Sequence, residues 1–208
     1  MGEFLGAVVC PHPPLLLREL NGQIDSVPEL RAACQRAVRT LLGWRPDRIV
    51  ILGRDDTDRP WSLRVAQRLL GESGWRGATE WRPVSADSTA AERAGAAAAL
   101  LRGPGRIALL VMADGTASRT LKAPGYLDER SFDFDDLVVG ALREGDHEAL
   151  TRLDDALAEE LRMQGLPALH VLGAALRCLA PRRPRSTVSY VADPFGVCYF
   201  VATWQLVG

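Results

Sequence analysis

The sequence predicts one α/β domain over residues 1–208, with a mixed, mostly parallel sheet, helices on both faces and a C-terminal antiparallel hairpin. Three observations predict this fold class. Short, continuous apolar runs at residues 48–53 and 106–112 are typical of buried parallel strands, and they alternate with segments of helical periodicity. No repeat or long linker divides the 208 residues, a length that one core can accommodate. The chain ends in two strand-like runs around a turn sequence.

The first half of the chain begins with an apolar run at residues 4–10, which predicts the first strand. Ser26 and Glu29 have the spacing of a capping box, and Pro28 lies in the first turn of the helix that they predict. Gly43 is expected to end this helix. The same criteria predict the remaining elements of this half: a buried strand over 48–53, helices over 61–70 and 89–101, and a buried strand over 106–112.

The second half is predicted to begin with a long loop over residues 114–134. Helical spacing then predicts helices over 135–143, 146–163 and 167–180, the last of them apolar nearly all round and therefore in the core. Residues 187–207 read as two strands. Between them, Asp193, Pro194 and Gly196 occupy the first, second and fourth places of a type I turn, where each residue type is favoured.

Composition excludes several classes of function. The net charge of −1 gives no basic surface for nucleic acid or an anionic membrane. No apolar run approaches the roughly 20 residues that a membrane helix needs. Glu3 and the early Pro11 argue against a signal peptide. The four cysteines form no C-x-x-C pair and lie among apolar residues, so we expect buried free thiols and a cytoplasmic protein.

A candidate site follows from the predicted topology. Ligands of parallel sheets bind at the carboxyl ends of the strands, here the loops that begin at Pro11, Arg54 and Ala113. The first of these loops holds His12 between prolines, which restrict the backbone and so limit the freedom of the imidazole. His12 is equally compatible with a functional role and with a histidine that simply packs under the prolines.

Three segments carry a family resemblance. Residues 8–17, VVCPHPPLLL, are a strand followed by a His-Pro-Pro loop. In residues 111–146, a strand leads into ADGTASRT and then into a helix that begins at Phe-Asp. Residues 166–176, LPALHVLGAAL, form a late helix. In this order, over most of the chain, they resemble the LigB-like class III extradiol ring-cleavage dioxygenases, in particular a short actinobacterial branch.

The resemblance implies a ferrous site of two histidines and a third ligand, usually a carboxylate, with a separate acid–base histidine. His12 matches the first ligand. The loop GRDDTDRPW, where the second is expected, has no histidine, and only Asp55 or Asp56 could replace it. Ser118 stands at the acid–base position, and Gln164 lies near the third ligand. We therefore expect no cofactor, or Fe(II) or another divalent metal on His12, Asp55 and Asp56 if a site survives.

The residues themselves leave other interpretations open. Asp55 and Asp56 could form a replacement metal site with His12, but a solvated acidic loop is the simpler interpretation. His12, Asp114 and Ser118 are the residue types of a nucleophilic triad, although the Gly-x-Ser-x-Gly elbow is absent and turn chemistry also explains Asp114. We expect His12, with Asp114 or Ser118 and one of the two aspartates, around one cleft, and treat His12, Asp114 and Ser118 as its candidate catalytic residues.

Four further residues are candidates for binding a substrate. Arg54, Arg119 and Lys122 place positive charge on the loops at this edge, where they could meet an anionic ligand or pair with nearby acids. His170 lies on the late helix, which borders the cleft in the family that the chain resembles. A histidine at the surface of a mostly buried helix is the alternative interpretation.

The function predicted from these observations is that of a diverged LigB-like protein without the standard iron site, whose cleft binds a small molecule or a partner protein. One alternative is active ring opening with Fe(II) on His12 and non-standard ligands. Another is a non-catalytic scaffold in a homo-oligomer, since the terminal hairpin could pair with a second copy. No nucleic-acid or membrane partner is expected.

Overall fold

Six strands form one sheet at the centre of the structure, a computed structural model that describes residues 2–20, 24–55, 60–180 and 182–206. The strands are β1 (Glu3–Cys10), β2 (Arg48–Arg54), β3 (Ala78–Val84), β4 (Arg106–Met112), β5 (Arg185–Ala192) and β6 (Tyr199–Gln205). Their order is β3-β2-β4-β1-β6-β5. The first four in this order run parallel, and β6 and β5 add an antiparallel end. The mixed, mostly parallel sheet and the terminal hairpin are therefore confirmed.

Helices cover both faces of this sheet, as predicted. They are α1 (Pro28–Gly43), α2 (Trp61–Glu72), α3 (Ala90–Leu100), α4 (Arg130–Glu144), α5 (His147–Thr151), α6 (Asp155–Glu160) and α7 (Leu166–Arg177). The apolar faces of α1 and α2 pack with one face of the sheet, and those of α3 to α7 pack with the other. As its all-apolar sequence predicts, α7 is buried throughout except at its last residue.

Strand β3 escaped prediction because its sequence, ATEWRPV, contains two charges and a proline. Such residues are typical of an edge strand, where one side of the backbone has no neighbouring strand to bond. Trp81 packs against the core between the sheet and α2. The strand therefore follows from its position at the edge, which its own composition does not indicate.

Several predicted boundaries are wrong. The capping box at Ser26 is absent: α1 has Val27 at its N-cap, and the Val27 N–H donates to Asp25. The helix predicted over 146–163 is two short helices, because the carboxylate of Asp154 accepts two backbone N–H groups and starts a new one. The helix predicted from residue 135 begins at Arg130, which shortens the long loop.

Two further expectations need correction. The turn at residues 193–196 closes with the Gly196 N–H on the Asp193 carbonyl, but Phe195 has φ 64°. A positive φ at the third position belongs to a type II turn and not to type I. Cys178 is exposed, whereas the other three thiols are buried as expected.

Among the described helices, none combines the length and the apolar character needed to cross a membrane.

Candidate functional site

The loops after β1 and β4 leave the sheet side by side. Cys10 and Met112 are paired in the parallel register, and the Ala113 N–H donates to the Cys10 carbonyl at 2.9 Å. One residue further on, Oδ1 of Asp114 accepts a 2.7 Å hydrogen bond from the backbone N–H of His12. The sheet thus brings together two residues that are 102 positions apart in the sequence.

The imidazole of His12 is buried but not hydrogen-bonded within the described residues. The residue is 3% exposed, and neither ring nitrogen has a hydrogen-bond partner there. Nδ1 lies 3.4 Å from Oδ1 of Asp114, whose side chain is 15% exposed. Burial raises the pKa of Asp114, while the charge of a protonated His12 and its backbone N–H act in the opposite direction. A buried polar ring without partners is costly unless a bound molecule supplies them.

A cleft of about 230 Å³ opens beside this pair. It is smaller than the roughly 300–1,000 Å³ of drug-sized ligand sites, so it suits a small molecule. Two aromatic side chains, Trp61 and Tyr199, are among its walls. The full lining consists of His12, Pro13, Pro14, Trp61, Asp114, Gly115, Ala117, Pro124, Arg162, Gln164, Val197 and Tyr199.

A buried arginine of α1 holds the loop that carries His12. Arg31 is 3% exposed, and its guanidinium donates to the carbonyl oxygens of Leu16 (2.6 Å) and Leu15 (3.0 Å). Its Nε also donates to Asp25 at 2.7 Å, and this hydrogen bond holds the pKa of Asp25 below its usual value. Arg31 thereby ties the chain after the prolines to the helix, which positions His12.

A buried aspartate of α4 holds the second loop. Asp135 is 1% exposed and accepts hydrogen bonds from the backbone N–H and the hydroxyl of Thr116, at 2.9 and 2.7 Å. Arg119 donates to the same carboxylate at 3.0 Å. Burial raises the pKa of Asp135, whereas these three donors act to lower it. The loop after β4 is therefore fixed two residues beyond Asp114.

Glycine at position 165 allows α7 to reach the Asp114 backbone. A Cβ added to Gly165 would lie 2.5 Å from Cα of Ala113 and 2.7 Å from the backbone nitrogen of Asp114. Only a residue without a side chain fits this approach. The N-terminal end of α7 is thus pressed against the strand end that carries Asp114.

Three candidates on the long loop lie outside the cleft lining. Ser118 is buried and its hydroxyl donates to the Leu161 carbonyl at 3.2 Å, so it holds the loop together. Arg119 pairs with Asp135 and Asp193 and lies over the Phe132 ring at 4.3 Å. Lys122 is exposed. Of the predicted catalytic residues, the structure therefore brings His12 and Asp114 to the cleft, whereas Ser118 is buried and does not line it.

The candidates after β2 lie apart from His12. Arg54 lines a separate cavity of about 330 Å³, which has Gln164 in common with the cleft. Asp55 is exposed, its N–H donates to the Val84 carbonyl at 3.1 Å, and it does not line the cleft. Asp56 lies outside the described residues. The expected grouping of Asp55 with His12 is therefore not found.

His170 belongs to a second buried cluster, on α7. It is 5% exposed, and its Nδ1 accepts a hydrogen bond from Nη1 of Arg93, which also binds both carboxylate oxygens of Asp155. Burial lowers the pKa of His170; the charge of Asp155 acts to raise it, and that of Arg93 lowers it further. His170 does not line the His12 cleft, so the structure gives it a role in packing α3 against α7.

Sequence reasoning missed three large lining side chains, Trp61, Arg162 and Tyr199, and placed Gln164 only near a ligand position. They come from α2, from the turn after α6 and from the start of β6. Positive φ at Arg162 (57°) is a structural sign that no sequence pattern indicates. Only Gln164 had a signal, since the family resemblance placed it near a ligand position.

Comparison with known proteins yields no family. No family model matches the chain, and no curated protein matches it. Among solved structures, an uncharacterised protein of Escherichia coli K12, JW3007, superposes with a TM-score of 0.48 at 14% identity, covering 97% of this chain and 99% of that one. A likeness at this level assigns neither a family nor a function.

Proposed function

We propose that this chain is a diverged LigB-like protein that binds a small organic molecule in the His12 cleft without the standard iron site. The observation that carries the proposal is the burial of the His12 side chain without a hydrogen-bond partner. Its ring is almost fully buried at the end of a parallel strand, lines a cleft, and has no hydrogen-bond partner among the described residues. A bound molecule with a hydrogen-bonding group would satisfy it.

The LigB-like part of the proposal draws support from two positions. The resemblance places a metal ligand at His12 and another near Gln164, which are far apart in the sequence. Both residues line the same cleft. If the chain descends from a LigB-like protein, two residues at former ligand positions are expected to lie together in this way.

The residues around His12 do not fit the family's two-histidine iron site. The chain has three histidines. His147 begins α5 and His170 bonds to Arg93, and neither lines the cleft. Within the described ranges, no group of three or more His, Cys, Asp or Glu side chains could hold a metal ion. One imidazole, one carboxylate and an amide are a poor donor set for ferrous iron, so we assign no metal-dependent step to this cleft.

In this site Asp114 orients His12. Its carboxylate accepts the backbone N–H of His12 and lies 3.4 Å from Nδ1, and both ring nitrogens are buried without a hydrogen-bond partner among the described residues. An imidazole in this setting can accept or donate one hydrogen bond to a ligand that reaches the ring. The cleft is therefore suited to recognition of a polar group on a small ligand.

Ligand binding tests the proposal directly. Ligand-observed NMR with a panel of one-ring compounds, including phenol and benzoate, should detect binding to the wild-type protein. His12→Ala should abolish it, whereas His147→Ala should not, because His147 does not line the cleft. Equal binding by wild type and His12→Ala would contradict the proposal.

Metal analysis distinguishes the alternative of an active dioxygenase. Protein reconstituted with Fe(II) under nitrogen should not retain iron in stoichiometric amount, and adding catechol and O2 should cause no oxygen uptake. Tightly held iron that is lost in His12→Ala, together with catechol-dependent oxygen uptake, would overturn the view that the iron site has degenerated.

A further inference from the structure

We propose that the His12 cleft recognises an anionic ligand, a small carboxylate, whose charged group pairs with Arg162 and the amide of Gln164. This inference rests on the proposed function and names the class of ligand. The side chains of both residues line the cleft, and neither forms a hydrogen bond or ion pair with another described residue. Most other arginines near the site are engaged, as Arg31 and Arg119 show.

The position of Arg162 is set by the backbone around it. The residue has φ 57°, a conformation that is uncommon for an arginine, between α6 and α7. Its N–H donates to the Glu159 carbonyl at 3.0 Å. Its stem passes Gly125, where an added Cβ would lie 3.2 Å from Cδ of Arg162. The glycine therefore leaves room for the arginine stem beside the cleft.

The charges of the lining residues favour the binding of an anion beside Arg162. The carboxyl group in the lining, that of Asp114, already accepts the backbone N–H of His12 and lies 3.4 Å from its ring. Arg162 is the cation in the lining that has no acidic partner among the described residues. A guanidinium binds a carboxylate through two parallel hydrogen bonds, and the amide of Gln164 can add a third.

The rest of the lining limits the ligand to a small body. Trp61 and Tyr199 supply aromatic walls, and the volume of about 230 Å³ holds roughly one ring. The ligand is thus a one-ring or short-chain carboxylate.

Two matched probe pairs test the inference: benzoate with benzamide, and butyrate with butyramide. Each pair differs in charge and hardly in size. Isothermal titration calorimetry should show that the wild type binds the acid at least tenfold more tightly than the amide, the range expected for a charge-assisted hydrogen bond. In Arg162→Gln the affinity for the acid should fall to the affinity for the amide. The affinity for the amide itself should not change.

Arg152→Gln is the matched control, because Arg152 is exposed, pairs with Glu148 and does not line the cleft. It should bind both members of each pair as the wild type does. Equal binding of acid and amide, or acid binding that is unchanged in Arg162→Gln, overturns the inference and leaves the proposed function in place. If no acid and no amide binds and the phenol panel also fails, both are wrong.

Discussion

The backbone N–H of His12 donates a 2.7 Å hydrogen bond to Oδ1 of Asp114, and this bond joins the ends of two neighbouring parallel strands. It fixes the backbone from which the imidazole projects, whereas the ring itself is left without a partner among the described residues. The loop geometry of the candidate site therefore depends on a carboxylate that the cleft also exposes to a ligand.

We predict that Asp114→Ala destabilises the protein by about 1–3 kcal/mol, because the buried His12 N–H loses its acceptor. Urea unfolding measures the change. Amide hydrogen exchange at His12 should become faster at the same time. Asp114→Asn is the matched variant, since its amide oxygen can still accept the N–H. Equal loss of protection at His12 in both variants would show that charge, and not the hydrogen bond, holds the loop.

Gly165→Ala should destabilise the protein by about 1–3 kcal/mol, because the new Cβ would meet the backbone of Ala113 and Asp114. Binding of benzoate in the cleft should weaken as well, since Asp114 must move. Gly140→Ala is the control: a Cβ there meets nothing within 4 Å, and Gly140 lies inside α4. It should stabilise the helix by about 0.5–1 kcal/mol. Thermal unfolding of both variants measures these opposite effects.

Arg31→Met should cost about 3 kcal/mol, because two loop carbonyls and Asp25 lose a buried cationic donor. Ligand binding at His12 should weaken more than in Arg36→Met, which changes an exposed position on the same helix. Arg36→Met should remain within about 0.5 kcal/mol of the wild type. Stability and affinity that are equal in the two variants would contradict the role assigned to Arg31.

We predict that the stability of the protein depends on pH through the titration of the His170 imidazole. The unfolded chain protonates this histidine near pH 6.5, whereas burial lowers the pKa in the folded protein. Between these two values the unfolded state binds more protons, so the free energy of unfolding falls as the pH is lowered below 6.5. The slope from this group is at most about 1.4 kcal/mol per pH unit.

Urea unfolding between pH 5 and 8 tests this prediction. His170→Gln removes the titrating group, so its stability should vary less with pH over this range than that of the wild type, whatever its overall stability. His147→Gln, at the half-buried start of α5, should keep the wild-type slope. A wild-type slope in His170→Gln would show that another group causes the pH dependence.

The fold class could be predicted from the amino-acid sequence alone. Continuous apolar runs in β2 and β4 are typical of a parallel sheet covered on both faces, and the turn residues around Asp193 favour a hairpin. The same reasoning located the loops after β1 and β4 at one edge, and with them His12 and Asp114. These features are local, or follow from rules of parallel topology, and so they can be read from one chain.

The other residues of the site come together only when the chain folds. Trp61 reaches the cleft from α2, Arg162 and Gln164 from the turn between α6 and α7, and Tyr199 from β6. No spacing in the sequence relates these three segments. In the folded protein, His170 and Arg119 bond to buried partners and do not line the cleft. A side chain's residue type fixes what it can bond, but only the packing of helices on the sheet fixes which partner is within reach.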